Sequence, residues 1–255
     1  MRVWFTKDYA AMSRLAANII SAGVVLKNDS VLGLSTGSTP VGIYKELIER
    51  YSAKDVDFSK VTVINQDEYI GLPKDSDQSY AYFMYHNFYK GVNVAEKNRH
   101  IPNGENLDIA KECKRYEKVI SDAGGIDMLL LGIGSDGHIA FNEPGEVFKK
   151  YVHAEDLNEN TLEANSRFFD SLSDVPKRAY TIGIKNIMDS RRIVLAVNGE
   201  HKAEILSKAV LGSITPQVPA SILQLHPNVD VVADEKALKK IIELSPDIIC
   251  NLNKI

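Results

Sequence analysis

Short, solidly apolar runs alternate along this chain with segments whose apolar residues recur at helical spacing. "VLGLS" (31–35), "VTVIN" (61–65), "IDMLLLGIG" (126–134), "YTIGI" (180–184), "RIVLAV" (192–197) and "VDVVAD" (229–234) read as strands. Several lack polar alternation, as strands covered on both faces should. Between them "PVGIYKELIERY", "YAYFMYHNFYK", "LDIAKECKRYEKVISD" and "EHKAEILSKAVLG" read as helices, the last stopping on Gly212. Strand–helix alternation with right-handed crossovers predicts an α/β fold, a doubly wound, mainly parallel, Rossmann-like sheet. No repeat, low-complexity tract or linker divides the chain, so residues 1–255 read as one domain. Residues 146–178 break the rhythm. Polar and weakly periodic, they read as a lid with one short helix around Thr161–Phe168.

Composition narrows the class. At 255 residues, 44% hydrophobic and 25% charged, this is an ordinary globular chain. A net charge of −4 speaks against a nucleic-acid surface, so an anionic ligand needs a local cluster of donors. No signal peptide and no apolar stretch of about 18 residues stand out, so no membrane partner is expected. The two cysteines, Cys113 and Cys250, fit no metal or redox spacing and suit a reducing, cytoplasmic setting.

In an open parallel sheet, ligands bind beyond the carboxyl ends of the strands. After the first apolar run comes "STGSTP", where Thr36, Gly37, Ser38 and Thr39 offer amides and hydroxyls at the start of a helix. Such a loop is either an anion site or an ordinary N-cap at Ser38 or Thr39. It is neither a dinucleotide fingerprint nor a P-loop. After the second run comes "NQDEYIGLP", whose consecutive Asp67 and Glu68 should point in different directions. The third loop, "GIGSDGHIAFNEP", carries Asp136, one of six histidines (His138) and Glu143 among glycines. The carboxylates can orient or tune the imidazole, so acid–base work is the better reading. A metal is conceivable, but no second histidine lies near, and no metal is expected. In "NGEHKAEIL", Lys202 falls near a helix start, where an anion would offset its unfavourable dipole interaction.

Together, "LSTGSTPVGIYKEL", "INQDEYIGLP", "LLGIGSDGHIAFNEPG", "EANSRFF" and "VPKRAYTIGI" resemble the glucosamine-6-phosphate deaminases in order and spacing. The resemblance runs from about Arg2 to Asp234. It implies a cytoplasmic enzyme of amino-sugar catabolism that turns glucosamine 6-phosphate and water into fructose 6-phosphate and ammonium, without cofactor. It assigns the carbon 2 to carbon 1 proton shuttle to Asp67, expected to be ionised at neutral pH. Ring opening falls to His138 as base, assisted by Asp136 and Glu143. Phosphate holding falls to Thr36, Gly37, Ser38, Thr39, Arg167 and Lys202.

The chain departs from allosterically activated members. His153 and Glu155 stand where an arginine and a lysine are expected, and no tyrosine follows Tyr180. Both speak against activation by an acetylated sugar phosphate and against the hexamer that accompanies it. Whether the chain is a monomer or a homo-oligomer stays open. Two alternatives are a 6-phosphogluconolactonase-like hydrolase, which would lack the "QDEY" and "FNEP" elements, and a sugar-phosphate-sensing regulatory module. The latter carries a DNA-binding segment, whereas this chain enters its first strand directly.

Overall fold

The computed structural model describes residues 1–251 except 167, 168, 170, 172 and 173. A seven-stranded sheet runs in the order β1 (Arg2–Thr6), β10 (Val229–Asp234), β9 (Arg192–Val197), β6 (Met128–Leu131), β2 (Val31–Leu34), β3 (Thr62–Asn65), β5 (Arg99–His100). Every pairing in it is parallel. The unbroken apolar runs follow from what lies on the two faces. In β6, Leu129 and Leu131 enter one core while Met128 and Leu130 enter the other. In β9, Ile193, Leu195 and Val197 alternate with Val194 and Ala196 in the same way. Period-two geometry thus gives each face its own hydrophobic set through Met128–Leu131 and Ile193–Val197.

One face is covered by α1 (Tyr9–Leu26), α2 (Ser38–Ser52) and α3 (Tyr80–Asn87), through Met12, Ala16, Ile20, Ile43, Tyr44, Leu47 and Met84. The other is covered by α4 (Ile109–Asp122), α6 (Ile184–Met188), α7 (Ala203–Leu211) and α8 (Glu235–Leu244), through Tyr116, Ile187, Leu206, Leu238 and Ile241. Side-chain caps start four of these helices: Asp8, Ser79, Asp108 and Asp234 each accept a first-turn amide. Against expectation, α1 is long and apolar enough to cross a membrane by length and composition. Its apolarity has a local cause, since Met12, Ala16, Ala17, Ile20 and Val24 are packed into the core.

Successive strands β2, β3 and β5 step outward in one direction; β6, β9 and β10 step in the other. The switch lies between β2 and β6, where the loops after the two strands leave the sheet on opposite sides and open a crevice.

A second, three-stranded antiparallel sheet holds β4 (Asp67–Tyr69), β8 (Arg178–Thr181) and β7 (His153–Asp156). This corrects the reading of "YTIGI" as one strand of the parallel sheet. The strand ends at Thr181, Gly183 caps α6, and Ile184 is already helical. A Cβ on Gly183 would fall 2.3 Å from the Lys150 carbonyl oxygen, so the chain turns here tightly against the polar segment. That segment also contains β7, where an irregular stretch was expected, and its helix α5 (Glu159–Ser166) begins two residues earlier than the pattern suggested.

Candidate active site

Each strand-end loop delivers a different chemical group to the crevice. After β2, Gly37 (φ 95°) turns the chain into α2, and no side chain caps the helix. The alternative of an N-cap at Ser38 or Thr39 is therefore set aside: Ser38 is already the first helical residue. Thr39 Oγ1 donates to Asn198 Oδ1 at 2.9 Å, binding this loop to the one after β9. First-turn amides facing a cavity are an anion site by geometry and dipole. Lys202, at the N-cap position of α7, lines the same cavity.

After β3 the chain is clamped: the Tyr116 hydroxyl donates to the Asn65 carbonyl at 2.6 Å, and the Gln66 side-chain Nε2 donates to the Leu130 carbonyl. Asp67 and Glu68 then diverge. Glu68 accepts the amides of Tyr69, Tyr80 and Ala81 at 2.8–2.9 Å and so anchors the start of α3. Asp67 faces the cavity, only 6% exposed, with Oδ1 unpaired. Burial, and then repulsion from Glu68, outweigh the attraction of His138 and push its pKa up to about 8. The expectation of an ionised Asp67 at neutral pH is corrected by this desolvation.

After β6 the glycines make room for an imidazole. A Cβ on Gly134 would lie 2.2 Å from His138 Cε1, and Ala140 takes a positive φ of 49° in the same loop. His138 Nδ1 lies 2.8 Å from Asp136 Oδ1 and 3.6 Å from Glu143 Oε2. Burial favours the neutral ring, but hydrogen bonds and charge from Asp136 and Glu143 override it and raise the pKa to about 9. Asp136, although desolvated, is held far below the usual carboxylate range by His138 and Asn158. At rest the His138 ring thus carries its proton. Its Nε2, unpartnered among the described residues, is the atom left for a ligand.

Thr36, Gly37, Ser38, Thr39, Asp67, His138 and Lys202 line one cavity of about 590 Å³ at the switch between β2 and β6. Asp136 and Glu143 bond His138 from outside that lining. Arg167 lies outside the described residues. The chain has the matching sequence: a model of the glucosamine-6-phosphate isomerases/6-phosphogluconolactonase family covers residues 8–232.

The chain belongs to this family.

Within it, the glucosamine-6-phosphate deaminase of Clostridioides difficile is 52% identical over 94% of this chain and 97% of its own length. That of Lachnoclostridium phytofermentans is 50% identical over 91% and 98%. A solved structure, of a monomeric glucosamine-6-phosphate deaminase, is 42% identical with a TM-score of 0.92, covering 94% of this chain and 100% of that one.

Three cavity or relay residues carried no sequence signal of their own. Tyr80 stacks on Phe141 in the cavity wall, at 6.0 Å between ring centroids. Thr161 Oγ1 lies 3.4 Å from His138 Nδ1, and Asn158 bonds both carboxylates behind it. Asp136, His138 and Glu143 also present ligand atoms within 4.8 Å of one another, a spacing that could hold a metal ion. The Asn158 amide donates to both of these carboxylates.

Proposed function

We propose that this chain converts glucosamine 6-phosphate and water into fructose 6-phosphate and ammonium, a hydrolase cleaving a carbon–nitrogen bond. One observation supports this above others. A single cavity gathers an uncapped helix N-terminus, a lysine, a buried carboxyl group and an imidazolium. The phosphate lies against the amides and hydroxyls of Thr36–Thr39 with Lys202, joined in this reading by Arg167 from the polar segment. The remaining groups then meet the sugar's other end.

Ring opening delivers one proton to the ring oxygen and removes one from the anomeric hydroxyl. His138, charged by Asp136 and Glu143, gives its Nε2 proton to the ring oxygen and takes the hydroxyl's, ending as it began. The substrate's ammonium group, brought beside Asp67, favours the carboxylate form of that side chain. Asp67 then removes the proton from carbon 2 and returns it to carbon 1 through an enolamine. Water adds to the resulting iminium carbon, the carbon–nitrogen bond breaks, and ammonium leaves. No step calls on a metal or organic cofactor. Both cysteines are unpaired, which fits the reducing cytoplasm proposed as its location.

The lactonase reading uses the phosphate cradle and His138 but gives Asp67 no work. The effector site of allosteric members is also unsupported: Glu155 lies among its expected basic residues, paired with Lys149 (2.6 Å) and 2.8 Å from His153. The test is a substrate titration of the purified chain, with chelator and no added cofactor. Ammonium release should be hyperbolic in glucosamine 6-phosphate and unchanged by N-acetylglucosamine 6-phosphate. A free acid formed from 6-phosphogluconolactone, without ammonium from the amino sugar, would overturn the reaction; a sigmoidal curve made hyperbolic by the effector would overturn its regulation.

A further inference from the structure

We infer that Asn158 is a positioning residue that ties the first turn of α5 to the two carboxylates flanking His138. The inference rests on the reaction proposed above. The Asn158 amide nitrogen donates to Asp136 Oδ2 at 2.7 Å and to Glu143 Oε2 at 2.5 Å. Its oxygen accepts the Thr161 amide at 2.9 Å, which makes it the N-cap of α5. Thr161 in turn brings its hydroxyl to 3.4 Å from His138 Nδ1. One side chain therefore joins the helix to both partners of the imidazole.

Two carboxylates close to one nitrogen repel each other, and a neutral amide with two N–H groups is suited to bridge them. The bond matters most for Glu143, whose side chain is 5% exposed and whose Oε1 has no partner. Serine or aspartate would supply the cap oxygen but not the paired donors. The charged and titratable groups facing His138 are Asp136 and Glu143 from its own loop and Asp67 from β4; Glu163 of α5 lines the same cavity.

The test compares Asn158→Ser and Asn158→Asp, which hold the cap constant. Measured are the melting temperature, kcat and KM for ammonium release, and the His138 ring titration by NMR in substrate-free protein. Both variants keep the cap oxygen and should fold, Asn158→Asp melting lower than Asn158→Ser because it sets a third carboxylate beside Asp136 and Glu143. Asn158→Ser should lower kcat about 10- to 100-fold with a smaller change in KM, as for a lost charge-assisted hydrogen bond. Asn158→Asp should lower it further and move the His138 midpoint upward, since added negative charge holds the proton. Wild-type kcat and an unchanged midpoint in both variants would overturn the inference and leave Asn158 a helix cap. The NMR arm decides this even if the wild type releases no ammonium, a result that would sink the proposed reaction instead.

Discussion

At Asp67 burial and a neighbouring carboxyl group raise the proton affinity from 3.8 to about 8. Between those values the folded chain keeps a proton that the unfolded chain has released. The stability this gives is present at low pH and lost as pH rises towards about 8. Asn has no such proton, so Asp67→Asn should melt higher than wild type, by more at about pH 9 than at about pH 5, at roughly 2–4 °C per kcal/mol. The same variant should lose roughly 10²–10⁴-fold in turnover. A melting difference that does not vary with pH would show that Asp67 ionises normally. The divergence of Asp67 and Glu68 was legible, because neighbours on a strand face opposite ways. The burial was not. Tyr80 and Phe141, which share the cavity wall with Asp67, come from other segments, so only folding reveals the low-polarity setting.

The elements most legible in the sequence were those with one uninterrupted signal. β2, β6, β9 and β10 are buried almost throughout, and their apolar runs showed it. β5 has two residues and β4 has three, too short for periodicity to register. β7 is held by pairing to β8, with only Glu155 of its residues buried, so its stability comes from a partner remote in sequence. The strand-end loops were legible as glycine-rich, but not why each glycine is there. Gly37 has a positive φ and open space at Cβ, whereas the Gly134 Cβ position is blocked by the His138 ring. Gly37→Ala should therefore strain the phosphate loop by about 1–2 kcal/mol and appear mainly in KM. Gly134→Ala should displace the imidazole and appear mainly in kcat. Steady-state kinetics of the pair separates the two, and equal effects on both constants would contradict distinct roles for the loops.

Across the whole molecule, the reversal of strand order between β2 and β6 places the chemistry. The anion-binding helix start, the proton-carrying carboxyl group and the charged imidazole come from three loops at the same edge of the sheet. Asp67 and His138 lie far apart along the chain, yet their convergence was legible because parallel strands present their following loops at one end of the sheet; the pairing of β2 with β3 and β6 brings them together. The central claim is that Asp67 moves the substrate's carbon-bound proton. It is tested most directly by turning over glucosamine 6-phosphate in D₂O with wild type and Asp67→Asn, following fructose 6-phosphate by NMR. Wild type should release ammonium and carry hydrogen from carbon 2 to carbon 1, with deuterium at carbon 1 only as far as the proton held by Asp67 exchanges with solvent, while Asp67→Asn should slow product formation and exchange at carbon 2 together by roughly 10²–10⁴-fold. Exchange at the wild-type rate in Asp67→Asn would contradict the claim and assign the shuttle to another group.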